Sequence, residues 1–203
     1  MLSSISKALI EKTIDFHGHW CPGLTIGIRA AELALQNLGK PEEGELVAVV
    51  ETDMCGVDAI QVLTGCTFGK GNLIHRDYGK MAFSFFDRKQ GKGFRAVFNP
   101  NLQGEIGLEM RALMKKMGEG RMSDQEKRRS EELRRNLQDL YLNAELEEMF
   151  FVTELPTPAP RPALVLESLP CQACGELTME SRTRKFDGKT FCIPCFAELD
   201  QKI

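Results

Sequence analysis

No apolar run in this 203-residue chain approaches the roughly eighteen residues that a membrane-crossing helix needs. The sequence is not a membrane protein of that kind. It also lacks a strong charge imbalance. A net charge of −3 gives no general attraction to nucleic acid or to an anionic bilayer, so neither is an expected partner. Residues 1–15 mix apolar and polar side chains and lack the basic-then-apolar pattern of a signal peptide, which makes a cytoplasmic location the expectation. The glycine-rich stretch from Gly65 to Asn72 lacks the Walker pattern and is no phosphate loop of that type. Histidine and tryptophan are scarce, with three and one respectively. The seven cysteines are odd in number, and four of them form two Cys-x-x-Cys pairs. That usage fits metal binding in a reducing compartment better than a disulfide framework.

The scarcity makes one stretch stand out. Phe16-His17-Gly18-His19-Trp20-Cys21-Pro22-Gly23 holds two of the histidines, a cysteine and the sole tryptophan. Imidazole and thiolate are the usual ligands of zinc and other borderline metals. Gly18 lets the backbone bend between the histidines. Pro22 and Gly23 lead into a helical pattern, so Cys21 is expected at a helix N-terminus, where N–H groups and the dipole favour thiolate. The segment reads as a metal site, a reactive thiolate, or both. The plain alternative is a tight turn with a satisfied histidine and a buried cysteine.

Along the chain, residues 4–14 read as a short helix. Leu24, Ile28, Ala31, Leu35 and Leu38 recur at helical spacing up to Gly39, with Arg29 and Glu32 on a more polar side. Leu46-Val47-Ala48-Val49-Val50 is a buried strand, ending in the polar stretch Asp53-Met54-Cys55-Gly56-Val57-Asp58. A short helix follows over residues 57–64, then the glycine-rich loop, in which Lys70 and free amides could hold an anion. A plain connection is the alternative there. Strands are expected over 73–75, 80–87 and 94–98, and a helix over 104–117 with Met110, Met114 and Met117 in the core. Ser123-Asp124-Gln125-Glu126 resembles a capping box opening a long helix to about residue 151. Its basic residues alternate with glutamates and read as a solvated face. Its apolar stripe, from Leu133 and Leu137 to Met149, points to a homodimer.

Prolines 156, 158, 160, 162 and 170 make residues 154–170 an extended linker. The expected domains are 1–153 and 171–203. In the second, Cys171 and Cys174 precede Cys192 and Cys195 at the separation of a tetrahedral zinc site, around a hairpin at Asp187-Gly188. A knuckle, a hairpin and a helix carrying the second pair give a treble-clef-like arrangement. So small a module folds only with metal or a staple, and a pair of disulfides is the alternative.

Three blocks together resemble the FmdE-like family, named for a component of formylmethanofuran dehydrogenase: Phe16-His17-Gly18-His19-Trp20-Cys21-Pro22-Gly23-Leu24, Cys55-Gly56-Val57-Asp58-Ala59-Ile60-Gln61, and Leu63 to Asn72. The resemblance spans roughly residues 10–150, and the terminal cysteine pairs resemble the auxiliary finger of some members. It implies an α+β core with a mixed sheet, usually dimeric, and a link to a molybdenum- or tungsten-dependent enzyme that interconverts carbon dioxide and a formyl group on methanofuran. Two functions then compete. One is a metal-binding accessory protein with redox-enzyme partner subunits. The other is a stand-alone enzyme acting on a small molecule through a metal or through a thiolate at Cys21 or Cys55. A third, DNA contact through the finger's Arg182, Arg184 and Lys185, is opposed by the acidic net charge. The expected cofactors are zinc in the finger and a second divalent transition metal in the core. His17, His19, Cys21 and Cys55 are expected to converge on that metal, with Cys66 and the glycine-rich loop nearby. Asp53 or Asp58 would orient an imidazole or take a proton, and Lys70 and Asp58 would contact an anion or substrate.

Overall fold

The computed structural model describes residues 3–39, 45–156 and 158–200. Residue 157 of the proline-rich segment and residues 201–203 of the expected finger lie outside them. Backbone contacts divide the chain into two units, Met1–Pro162 and Ala163–Ile203.

The first unit is built on a five-stranded sheet: β1 (Leu46–Val50), β2 (Leu73–His75), β3 (Ala82–Asp87), β4 (Lys92–Phe98) and β5 (Phe150–Glu154). The strand order is β2-β1-β3-β4-β5. β2 runs parallel to β1, and the other pairings are antiparallel. The single parallel pair needs a crossover. Helix α3 (Gly56–Thr64) supplies it. β1 has no polar residue, and all five of its side chains are buried, because both faces of the sheet are covered there.

Helices α1 (Lys7–His17) and α2 (Pro22–Leu38) precede the sheet. Ile26, Ala30, Leu33 and Leu38 of α2 face the main core with Val50, Phe83, Phe85 and Phe98. Leu24 and Ile28 face a second core with Ile10 of α1 and Ala59 of α3. Burial on two sides explains why Arg29 and Glu32 do not mark the polar side expected of them. They are 2% and 1% exposed. Arg29 Nη1 donates to Glu32 Oε2 at 2.5 Å, and Arg29 Nη2 donates to the Ala144 carbonyl at 2.6 Å. The Ser3 hydroxyl and the Ser4 N–H also donate to the Glu32 carboxylate. Pairing and hydrogen bonding are what make such burial tolerable.

Helices α4 (Gly104–Gly118) and α5 (Asp124–Asn143) close the main core from the other end through Met110, Leu113, Leu133, Leu137 and Tyr141. Met114 and Met117 stay half-exposed, so of the three methionines only Met110 is core. The Ser123 capping box is present, with both reciprocal bonds to Glu126. The helix it opens stops at Asn143 rather than near residue 151. Its end sits against the Arg29 cation, which takes the Ala144 carbonyl, and a cation is favourable at a helix C-terminus. A single turn, α6 (Leu146–Met149), follows. The run Phe150-Phe151-Val152-Thr153 then pairs with β4, as aromatic and β-branched residues favour.

The proline-rich segment also differs from a bare linker. Its first residue, Glu154, belongs to β5. Leu155 and Ala159 pack on Val47, Val49 and Phe86, across the second face of the sheet. Arg88 Nε donates to the Pro160 carbonyl at 3.2 Å. Its last three residues, Ser168–Pro170, form β6 of the second unit.

In the second unit β6 pairs with β7 (Leu177–Met179), β8 (Thr183–Phe186) pairs with β9 (Lys189–Cys192), and α7 (Ile193–Ala197) follows. The β8–β9 turn uses Asp187 and Gly188 at φ 47° and 72°, the conformation that Asp-Gly hairpins favour. Phe186, Phe191 and Phe196 form a small cluster with three of the cysteines. The chain is thus α+β with a mixed sheet, followed by a knuckle–hairpin–helix module.

Candidate metal centres

In the second unit the sulfur atoms of Cys171, Cys174, Cys192 and Cys195 all lie within 4.8 Å of one another. Cys174 and Cys192 Sγ are 4.0 Å apart, about twice a disulfide bond. Four ligands at about 2.3 Å from one tetrahedral zinc stand just under 4 Å apart, so the spacing fits the ion and not a bridge. The local backbone is arranged for charge on sulfur. N–H groups of Cys174, Cys192 and Ala173 hold the Cys171 thiol down to about 6. Cys195 is pushed up to about 12 by its hydrogen-bonded neighbours Cys192 and Cys174. Four thiolates this close repel one another and ionise together only around a cation. Gly175, at φ 78°, turns the knuckle, and its N–H donates to the Cys171 carbonyl at 2.8 Å.

The second cluster sits in the first unit, where three helix ends meet. α1 ends at His17, and Gly18 caps it at φ 88°, so His17 is helical rather than part of an extended run with His19. The chain reverses, and the two imidazole centroids come to 4.5 Å. Cys21 is the N-cap of α2, as its position before Pro22 suggests, and its Sγ accepts from the Leu24 N–H at 3.4 Å. His17, His19 and Cys21 each offer a ligand atom, all within 4.8 Å of one another. Cys21 Sγ and His17 Nε2 are 3.9 Å apart.

His17 Nδ1 is 2.7 Å from Asp58 Oδ2. A carboxylate on one ring nitrogen fixes the tautomer and leaves Nε2 with its lone pair toward the cysteine, the arrangement that aims a ligating histidine. Asp58 reaches this position from the first turn of α3. Cys55 is the N-cap residue of the same helix, and its thiol hydrogen-bonds with Cys21. Burial first, and then Cys21, push the Cys55 thiol up. Cys55 is therefore not a preformed thiolate, which weakens its candidacy as a free nucleophile. Two thiols, two imidazoles and an orienting carboxylate form a donor set suited to a borderline divalent metal.

Glycines bring the helices this close. A Cβ at Gly27 would lie 2.2 Å from the Gly56 carbonyl oxygen. One at Gly23 would lie 3.8 Å from Cys55 Sγ and 4.0 Å from Cys21 Sγ. Sequence reasoning missed Gly27. Its signal is a glycine inside a helical pattern, four residues after Gly23, where helix propensity alone disfavours it.

Other expected site residues lie elsewhere. Cys66 is fully buried in the main core, and its thiol donates to the Leu46 carbonyl at 3.3 Å. It follows the C-cap Gly65 of α3, whereas Cys55 caps the N-terminus. About ten residues of helix put roughly 15 Å between those ends. Lys70 shares the Cys66 end, with its Nζ 3.4 Å from the Gly65 carbonyl. The loop's amides at Cys66, Thr67, Lys70 and Gly71 donate to acceptors within the loop or beside it, so no anion-holding nest is left there. Asp53 is exposed. The site's flank carries exposed apolar side chains, Phe16, Trp20 and Met54. Trp20 is fixed by a 3.0 Å bond from Nε1 to the Thr25 hydroxyl.

The family model described as "FmdE, Molybdenum formylmethanofuran dehydrogenase operon" matches residues 16–151, which include both thiol-bearing helix starts. The chain belongs to the FmdE family. The model of the prokaryotic dksA/traR C4-type zinc finger matches residues 166–201, and with the four-sulfur geometry it makes the second unit a zinc finger. A crystal structure of an FmdE-like protein of tungsten formylmethanofuran dehydrogenase, from Syntrophus aciditrophicus, is similar at a TM-score of 0.62 and 26% identity. The match covers 95% of this chain and 93% of that one. A protein of Archaeoglobus fulgidus described as a probable S-adenosyl-L-methionine-binding protein is 33% identical over 200 residues, 92% of this chain. The chain spans about half of that relative, 52% of its length. This FmdE-family chain therefore carries a core and a finger that each align with known proteins.

Proposed function

We propose that this FmdE-family protein is a metal-binding accessory component of a molybdenum- or tungsten-dependent redox system, working from the cytoplasm with redox-enzyme partner subunits and as a homodimer. Its core site would hold a second metal, zinc or another divalent transition ion, besides the finger's zinc. The observation that carries the reading is the Asp58–His17–Cys21 alignment, a carboxylate-oriented imidazole facing a helix-capping thiol. His17, Cys21 and Cys55 would be ligands, with His19 completing the set or shielding it. Bound there, the ion would supply Lewis acidity or a structural lock. Asp58 would hold the His17 proton on Nδ1, and the Leu24 N–H would favour thiolate at Cys21.

A second reading is a stand-alone enzyme acting on a small molecule. The exposed rim of Phe16, Trp20 and Met54 favours it, since apolar side chains left open beside donor atoms suit a ligand. Elemental analysis of the full-length protein separates finger from core. The wild type is expected to carry more than one metal per chain. His17→Ala and Cys55→Ala should each lose the core fraction and keep the finger's zinc. Asp58→Asn should weaken core binding roughly 10- to 100-fold without unfolding the protein. One metal per chain in the wild type, or full occupancy in both alanine variants, would sink the assignment.

A further inference from the structure

The sheet has two edges, and only one of them is protected. At one side β2 is three residues long and is followed at once by Arg76. At the other, β5 runs five residues without lysine or proline, the residues that usually blunt an edge. Phe151 and Val152 are 56% and 46% exposed, on opposite faces of that strand.

The hydrogen-bond pattern fixes which backbone groups face outward. The Leu155 N–H donates to the Gly93 carbonyl, and the Met149 carbonyl accepts from the Asn99 N–H. The β4–β5 register pairs Thr153 with Arg95 and Phe151 with Val97 in the same phase. In an antiparallel ladder alternate residues bond to one neighbour, so the odd-numbered residues of β5 bond to β4. Phe150, Val152 and Glu154 point their N–H and C=O groups away from the sheet. The Phe150 N–H is used by the Leu146 carbonyl. Among the described residues, no hydrogen-bond partner meets the outward groups of Val152 and Glu154.

We infer that this β5 edge pairs antiparallel with the β5 edge of a second copy, about a two-fold axis at Val152. The register is self-complementary. Val152 meets its own copy in a mutually hydrogen-bonded pair, and Glu154 of each copy donates to the Phe150 carbonyl of the other. That makes four bonds across the axis. Glu154 lands opposite Phe150, so the two carboxylates do not face each other, and Phe151 lies beside Thr153 of the other copy. The Phe150 N–H, already used, is the one outward donor the pairing does not need. A ten-stranded sheet would result. The apolar stripe of α5 is not the face, because Leu133, Leu137 and Tyr141 are buried in their own core.

Dimerisation belongs to the reading above, and the face does not. The test separates them. Val152→Pro removes an outward N–H and leaves the bonds to β4 intact. In sedimentation of the full chain at concentrations on the order of tens of micromolar, the wild type should be dimeric. The proline variant should dissociate at least about tenfold more readily, since it loses two of four cross-edge bonds. Amide exchange at Val152 and Glu154 in the wild type should slow as concentration rises. A monomeric wild type overturns both dimer and face. A proline variant as dimeric as the wild type, or exchange at both amides indifferent to concentration in a dimeric sample, overturns the face alone.

Discussion

A methyl group added at Gly27 would meet the backbone of Gly56, which cannot move aside as a flexible side chain would. Gly27→Ala must therefore push α2 and α3 apart, and with them Cys21 and Cys55. Overpacking of this kind costs about 1–3 kcal/mol, and contact with backbone places the cost at the upper end or beyond. The expected outcome is a lower denaturation midpoint together with reduced core metal, while the finger's zinc stays. Helix propensity alone predicts the opposite, since alanine in place of a helix-interior glycine stabilises by roughly 1 kcal/mol. Urea unfolding followed by circular dichroism decides between them, and a stabilised variant would show that the glycine contact is not what sets the helix spacing.

Among the elements, the α4–α5 hairpin depends on one carboxylate. Glu126 accepts from Lys116, from the Ser123 N–H and from the Ser123 hydroxyl. These partners, Lys116 foremost, hold it down from the ordinary 4.5 to about 2. A lowered folded-state value means stability that is present in full above pH 4.5 and is lost as pH falls toward 2. Glu126→Gln should therefore lower the melting temperature at neutral pH and flatten its decline across that acid window. Ser123→Ala should cost about 1 kcal/mol at neutral pH through the lost cap. Thermal melts at several pH values check both. Equal acid slopes in wild type and Glu126→Gln would remove Glu126 from the account.

For the molecule as a whole, the informative cut lies within the proline-rich segment. Residues 155–162 belong to the first unit, and Leu155 and Ala159 cover Val47, Val49 and Phe86. Truncation after residue 162 should leave one cooperative melting transition and remove about one zinc per chain, because a finger of this kind takes its folding energy from the ion. Truncation after residue 154 removes the strap as well and opens an apolar sheet face to water. That variant should melt lower and tend to aggregate. Calorimetry with zinc analysis tests both cuts. Equal melting temperatures would mean that the strap contributes nothing.

Much of this was legible in the residues alone, for local reasons. The β-branched run of β1, the periodicity of α2, the Ser123 capping box, the Asp187-Gly188 turn and the two Cys-x-x-Cys pairs act over a few residues, so spacing reveals them. Cys21 at a helix start was readable from the Pro22 that follows it. Other features depend on partners far away in sequence. Arg29 reads as surface until the carbonyl of Ala144, 115 residues on, takes its guanidinium. Cys55 and Cys66, eleven residues apart, look equally eligible for a site. The helix between them sends one to Cys21 and the other into the core. His17 and Asp58 are 41 residues apart, and only the crossing of α2 and α3 at paired glycines makes them neighbours. The sequence determined which ligand types this protein has and how each local segment bends. Tertiary structure decided which of them share a space, because that depends on how closely two backbones can approach.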